Sequence, residues 1–367
     1  MKKTCLGCGV LLQTTNENKV GYVPKDVFEN QPDRLLCKRC FELKHYNQNN
    51  HYELDSQSYQ TSLQYLLTHP GLIVYVVDLF DLDYTVIEAI QDRYQTKRIL
   101  IVVNKVDLFL DSLNKNRLYR YLQNLMKEKN NLYLDLLLIS SFSASDIVLL
   151  LERIKKYKKD ENVYFIGMTN VGKSSIINKI ISFYTKQKDL ITVHKTMNTT
   201  LGNVFIPFDK KTYFVDTPGI MNPDHLHYFL SKQTIDFIIP QKYIKPKIYH
   251  LNPGQTLFVT GLLQIDFLQG EKCSFVIHVK NELPIHRSKL ELAPAFFEKH
   301  QQDILMVPTA EDLQLLGNRT SRTEEISVTQ KQDFSIAGFG FFTVIGTGTI
   351  RITYFEKMKI FVRKAIF

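Results

Sequence analysis

The sequence predicts an α/β core built on a largely parallel sheet, with a cysteine-bearing segment before it and a β-rich domain after it. Three observations carry that prediction. Apolar runs alternate with helical patterns between about residues 53 and 225, two CxxC pairs sit in a loop-rich stretch before residue 50, and beyond residue 226 short β segments replace the alternation. The expected divisions are therefore 1–50, 51–225 and 226–367.

In the core, Leu72 to Val77, Ile99 to Val103, Leu134 to Ile139, Val163 to Ile166 and Tyr213 to Val215 read as strands. A helix is predicted from Ala144 to Lys159, because Ile147, Leu150, Leu151, Ile154 and Tyr157 recur at three-and-four spacing with lysines opposite them. In the last part Thr256 to Thr260, Ser274 to Val279, Phe341 to Ile345 and Thr349 to Phe355 read as strands, with glycine between several of them. No internal repeat is apparent, and Asn47 to Asn50 reads as a linker.

The chain has 367 residues, 44% of them hydrophobic, enough for two or three folded domains with sizeable cores. Its longest apolar runs fall well short of a bilayer span. Met1 to Val10 lacks an apolar signal core, so a cytoplasmic location is expected, with no membrane partner. Disulfides are disfavoured there, which leaves metal as the reading of Cys5, Cys8, Cys37 and Cys40. Four thiolates make a closed tetrahedral zinc site, and so short a segment needs such a staple in place of a core. The fifth, Cys273, lies in an apolar run and reads as a buried packing residue. A net charge of +9 favours polyanionic partners such as RNA.

Gly167 to Ser174 has the form GxxxxGKS and stands between a strand and an apolar-periodic helix. Glycine at 167 and 172 lets the backbone curl so that its N–H groups face phosphate oxygens, and Asn170, Val171 and Ser175 complete the nucleotide contacts of this loop. Lys173 is positioned for the terminal phosphates and the Ser174 hydroxyl for magnesium. The loop alone specifies only a nucleoside triphosphate.

The base is chosen by Asn104-Lys105-Val106-Asp107, an NKxD following a strand. The Asp107 carboxylate can accept two hydrogen bonds from guanine, whereas adenine would leave it desolvated and unsatisfied. Backbone groups of Ser140 and Ser141, after the next strand, can meet the guanine oxygen. Asp216-Thr217-Pro218-Gly219 supplies DxxG: Asp216 for magnesium, the Gly219 N–H for the γ-phosphate. Thr200 is the chosen switch threonine for the metal, with Thr196 and Thr199 as rivals.

The order of these motifs is permuted. NKxD and the serine pair precede the phosphate loop and DxxG, which normally come first. A fold tolerates this if its usual termini lie close enough to be joined. The chain then leaves the site just after DxxG and runs into the C-terminal part, so loss of the γ-phosphate can be felt there.

With Cys5 to Gln13, Cys37 to Tyr46 and the tail Asp333-Phe334-Ser335-Ile336-Ala337-Gly338-Phe339-Gly340, these motifs resemble the YqeH group of ribosome-assembly GTPases over nearly the whole chain. The resemblance implies a circularly permuted Ras-like P-loop GTPase domain between an N-terminal zinc finger and a β-rich C-terminal domain. It further implies GTP/GDP with Mg2+ and Zn2+, action as a monomer on the small ribosomal subunit or its precursor, and contact of the C-terminal part with rRNA. Ile220 stands where Ras-like enzymes carry a water-orienting Gln. Relatives with that replacement use K+ held by a phosphate-loop Asn, which implies Asn170 here. The catalytic set is then Lys173, Asn170, Thr200 and Gly219, and hydrolysis is expected to be slow and stimulated by potassium and by the ribosomal partner. Ser140-Ser141-Phe142 departs from the family's Ser-Ala-Lys, which implies weaker base affinity. His45, His225 and His227 read as surface or packing histidines, and Lys357, Lys359, Arg363 and Lys364 form a basic strip that is either solvated or set against phosphate. The competing readings are a guanine-nucleotide-gated adaptor with negligible hydrolysis and a partner of an RNA-modifying enzyme.

Overall fold

A computed structural model gives the fold and describes residues 3, 5, 11–17, 21–30, 35–38, 64–96, 98–109, 114–186, 198–200, 203–220, 225–301, 303–316 and 321–367. The chain forms two compact units. One comprises 1–77, 88–104 and 130–220, and the other comprises 78–87, 105–129 and 221–367.

The first unit is organised by a sheet of seven strands among the described residues: β1 Gly71–Asp78, β2 Ile99–Asn104, β3 Asp135–Leu138, β4 Asn162–Ile166, β5 Asn198–Thr200, β6 Asn203–Pro207 and β7 Tyr213–Asp216. Their order is β3-β2-β1-β4-β7-β6-β5. Parallel pairs join β2 to β3, β1 to β4 and β4 to β7, while β6 runs antiparallel to both β7 and β5. Burial on both faces explains why Leu72 to Val77 and Ile99 to Val103 are unbroken apolar runs instead of alternating ones.

Helix α2, Ala144–Tyr157, begins where Ser143 accepts the Asp146 N–H and buries Ile147, Leu150, Leu151 and Ile154. It stops two residues short of the sequence expectation. Lys159 turns left-handed at φ +53°, and the Lys158 ammonium turns inward to Thr212 Oγ1 (3.0 Å) and Asp209 (2.8 Å). Helix α3, Lys173–Lys186, follows β4.

The second unit holds helix α1, Lys115–Glu128, capped by Asn114 and buried along Leu118, Leu122, Leu125 and Met126. Among the described residues it also holds ten strands: β8 Lys247–Leu251, β9 Gln255–Val259, β10 Leu263–Gly270, β11 Cys273–His278, β12 Ile285–Lys289, β13 Ser321–Val328, β14 Gln332–Ile336, β15 Gly340–Ile345, β16 Gly348–Phe355 and β17 Ile360–Lys364. They form two five-stranded sheets, β12-β9-β10-β16-β13 and β17-β14-β15-β11-β8, which share one apolar core.

Exchanging β8 to β12 one for one with β13 to β17 converts the first order into the second. The unit is thus a topological duplication in which each half gives three strands to one sheet and two to the other. The repeat lies in strand order, where the sequence shows none. The signal survives in the two central hairpins. Thr256 donates to Asp266 across β9 and β10 (2.7 Å), and Thr343 donates to Asp333 across β15 and β14 (2.6 Å), with donor and acceptor strands interchanged.

The outer faces of the two sheets are covered differently. Helix α4, Ala293–His300, lays Phe296 and Phe297 on Phe258 of the first (centroids 5.5 and 6.1 Å). On the second, Phe341 meets Phe109 (5.8 Å) and Phe367 (6.0 Å).

Candidate nucleotide-binding and hydrolytic site

The segment Gly167 to Lys173 links β4 to α3, and its backbone requires the residues found there. Gly167 has φ +151°, and a Cβ on it would lie 2.3 Å from the Val76 carbonyl oxygen. At Gly172, φ is +95° and a Cβ would lie 2.3 Å from Asn104 Nδ2. Asn170 is left-handed at φ +64°, a conformation asparagine tolerates better than most residues. Lys173 is buried, its ammonium donating to the carbonyls of Gly167 (3.1 Å) and Met168 (2.9 Å). Burial pushes its pKa down to about 8, with Asp216 pulling the other way. A cation held this way, among carbonyls at a helix N-terminus, is suited to an incoming polyanion.

The loop after β7 is fastened to the phosphate loop by its backbone. Ile220 donates its N–H to Gly167 (3.0 Å) and accepts that of Thr169 (3.2 Å), while Thr217 Oγ1 donates to Phe165 (2.8 Å). Gly219 lies so close that a Cβ would stand 2.8 Å from Thr169 Cγ2. Ser174 Oγ donates to Asp216 Oδ2 at 3.1 Å, which brings together a hydroxyl and a carboxylate of the kind that hold a hard divalent cation. Ile220 itself is buried at 6% exposure, its side chain committed to packing.

Asn104, at the end of β2, bridges two further loops. Its Nδ2 donates to the Val171 carbonyl (2.9 Å) and its Oδ1 accepts the Ser141 N–H (3.1 Å). Ser140 donates its N–H to Asp146 (2.8 Å), an acid in the first turn of α2 that the sequence reading missed although a short polar turn before a helix is its ordinary setting. Phe142 stands 74% exposed at the tip of this turn. Thr200 and Thr199 lie in β5, with Thr200 opposite Asn203 of β6. Thr196 lies outside the described residues.

In the other unit, Lys105 is left-handed at φ +66° and its ammonium is ion-paired with Asp78, a partner also missed in the sequence. Burial pushes the Asp78 carboxyl up, against the pull of Lys105. Asp107, in the single turn Val106–Phe109, has Oδ1 buried without a hydrogen-bond partner in the chain. Such an acceptor costs roughly 1–3 kcal/mol or more unless a ligand satisfies it, and an amidine-like N–H pair is the fitting donor.

Of the four cysteines, Cys5 and Cys37 are both buried and adjacent, the Cys37 N–H donating to Cys5 Sγ at 3.1 Å. One cysteine of each CxxC pair is therefore brought together across 32 residues. Cys8 and Cys40 lie outside the described residues, and among the described residues no group of three or more metal-ligating side chains gathers. Cys273 is buried in β11, as expected.

The RsgA GTPase family matches residues 77–226, a family described as 50S ribosome-binding GTPase matches 162–307, and a YqeH-like C-terminal family matches 272–366. The protein named "Uncharacterized protein YqeH" of Bacillus subtilis (strain 168) is 33% identical over 366 residues, spanning 100% of this chain and 99% of its own. The chain belongs to the YqeH family. It is accordingly a GTP hydrolase of the ribosome-assembly type, with a circularly permuted P-loop GTPase fold and a β-rich C-terminal region. The chain is also similar to "NO-associated protein 1, chloroplastic/mitochondrial" of Arabidopsis thaliana, 26% identical over 396 residues, 93% of this chain and 69% of that one. The crystal structure of YjeQ from Thermotoga maritima matches with 24% identity and a TM-score of 0.26, over 43% of this chain and 54% of that one, too slight a likeness to bear weight. Among the described residues no helix is long and apolar enough to cross a membrane.

Proposed function

We propose that the chain is a GTP-gated assembly factor for the small ribosomal subunit, acting in the cytoplasm as a monomer and touching rRNA through residues 226–367, with 1–50 as a zinc finger and 51–225 as the GTPase domain. The observation that carries the hydrolytic part is the fastening of the Asp216–Gly219 loop to the phosphate loop through Ile220, Thr169 and Ser174. A triphosphate seated on Gly167 to Ser175 meets both loops at once, and its γ-phosphate is what the Gly219 N–H can sense. Lys173 neutralises the phosphates as charge develops in the transition state. Asp107 reads guanine, Lys105 flanks it, and Ser140 and Ser141 lie on the loop tied by Asn104.

Ser174 and Asp216 fit Mg2+, with Thr200 completing the set, and the ion would supply charge neutralisation at the phosphates. Asn170 offers an amide oxygen to K+, which would act in the same sense. Cys5 and Cys37 fit half of a tetrahedral zinc site, with Cys8 and Cys40 as the other half. Supporting a ribosomal partner, though not the choice of the small subunit, are the net charge of +9 and the match to a family described as 50S ribosome-binding GTPase. Supporting slow intrinsic turnover is Ile220, which cannot orient water.

Sedimentation with purified subunits tests this reading. The chain should travel with small subunits in a GTP-analogue state and leave them with GDP; equal sedimentation in both states, or with large subunits instead, defeats it. Single-turnover hydrolysis in potassium and in sodium tests the chemistry. No phosphate release in either salt, even with subunits added, makes the chain a nucleotide-gated adaptor.

A further inference from the structure

The phosphate loop follows the carboxyl end of β4, and the amino end of the same strand borders a second feature that nucleotide chemistry leaves unused. There, where β1 and β4 run parallel, a cavity of about 220 Å³ is lined by Leu66, Ile73, Tyr94, Arg98, Glu161 and Tyr164, among others. All of these residues belong to the first unit. The volume falls between the roughly 150 Å³ that takes one benzene and the roughly 300 Å³ at which sites for drug-sized molecules begin. A single ring or two fused rings fit it, and a whole nucleotide does not.

The lining is aromatic and polar at once. Gly71 of β1 makes room for the Tyr164 ring, since a Cβ there would stand 2.5 Å from Tyr164 Cε2 and 2.5 Å from the Asn162 carbonyl oxygen. Tyr65 meets that ring edge-on, with centroids 6.4 Å apart. The Tyr164 hydroxyl is buried without a hydrogen-bond partner in the chain. Burial pushes its pKa up to about 12, against the pull of the Asn162 amide, so the group stays a neutral donor. Arg98 and Glu161 form an ion pair, both partly exposed, and Arg98 also donates to the Tyr157 carbonyl. Neither is used up, because a guanidinium has more N–H groups and a carboxylate more lone pairs than these contacts take. The cavity thus offers two donors, Tyr164 and Arg98, and one acceptor, Glu161.

We propose that this cavity is a second, small-ligand site that takes a planar lactam heterocycle, a ring carrying a carbonyl beside an N–H as uracil does. The carbonyl accepts from Tyr164 or Arg98, the ring N–H donates to Glu161, and the ring lies among Leu66, Ile73, Tyr94 and Tyr164. A purely apolar ring leaves the Tyr164 hydroxyl unpaired, which is costly in a buried place. An amine brings no acceptor for it, and a carboxylate is repelled by Glu161.

Uracil is the probe, titrated by ligand-observed NMR into the full chain saturated with GDP, so that the guanine site, itself a reader of lactams, is filled. It should bind with a Kd of about 1 mM or tighter, an affinity open to so few atoms. 1,3-Dimethyluracil, whose ring nitrogens carry methyl groups in place of hydrogen, should bind at least about tenfold more weakly. Tyr164→Phe removes only the hydroxyl and should weaken uracil binding about three- to tenfold, and Glu161→Gln about fivefold or more, while GDP affinity in each stays within about threefold. Glu161→Gln changes a partly exposed side chain and serves if Tyr164→Phe fails to fold. No saturable uracil binding in the low millimolar range, equal binding of the two pyrimidines, or unchanged uracil affinity in either variant overturns the proposal. So does a uracil signal that fades as GDP is added, because the probe then sits in the nucleotide site. A chain that does not bind GDP overturns the GTPase reading instead, a result distinct from these.

Discussion

Replacing Asp107 with Asn is the sharpest test of base selection. Oδ1 of this side chain is buried with no partner in the chain, and so its hydrogen-bonding capacity awaits a donor. Guanine presents two N–H groups to a carboxylate, and hydrogen bonds to a charged group are each worth about 1.5–3 kcal/mol net. The amide of asparagine keeps one acceptor and turns an N–H toward the other donor, so one bond is lost and one contact becomes repulsive. The expected loss of GDP affinity is about 3–4 kcal/mol, or roughly 10²–10³-fold. Xanthine carries an oxygen where guanine has its amine, so XDP should gain what GDP loses. Competition of GDP and XDP against a fluorescent guanine nucleotide, for wild type and variant in parallel, measures both. An unchanged ratio of the two affinities would show that Asp107 does not read the base.

Four further outcomes are expected. Lys173→Ala should weaken GTP binding by at least about a hundredfold, since it removes a buried charge-assisted contact to phosphate; equilibrium dialysis measures this. Because burial holds the free Lys173 near pH 8 and bound phosphates raise it again, GTP affinity should be full below pH 8 and fall by up to about tenfold per pH unit above it; the same decline in Lys173→Arg would assign the effect elsewhere. Gly254→Ala, with φ +81° and nothing within 4 Å of the added methyl, should cost only the backbone penalty of about 1–2 kcal/mol, whereas Gly172→Ala must also displace Asn104 and should lose about 1–3 kcal/mol more, read from urea denaturation. Arg363→Met strands the nearly buried Asp83 and should destabilise the second unit by about 3–5 kcal/mol, partly recovered by adding Asp83→Asn; a loss below about 1 kcal/mol would show the pair to be incidental.

The loops of the site were legible because each is a short local pattern with a backbone reason: glycine where φ is positive, a polar residue at the end of a buried strand. Asp78 and Asp146 were not, because each acts on a residue far along the chain or as an ordinary first-turn acid, and nothing local marks it. Central strands were found readily where both faces are buried. Strand β13, by contrast, exposes most of its residues, so its apolar pattern is faint. His225 reads in the sequence as a surface or packing residue, and it packs; its bond to Asp81 joins residues 144 positions apart, beyond any spacing rule. The duplication escaped notice because it is a matter of strand order, which no local pattern encodes, and the Thr–Asp pair of each central hairpin appears with its members interchanged.

That duplication bears on how the protein is made. Strand β11 takes its neighbour β15 from the other half, and β10 takes β16, so neither half can close its sheets alone. During synthesis β11 is finished at residue 278, yet its partner begins at residue 340, a wait of roughly 3–12 s at ordinary elongation rates. Through that interval the nascent first half carries unpaired strand edges on apolar segments, the kind of surface chaperones shield and other chains pair with.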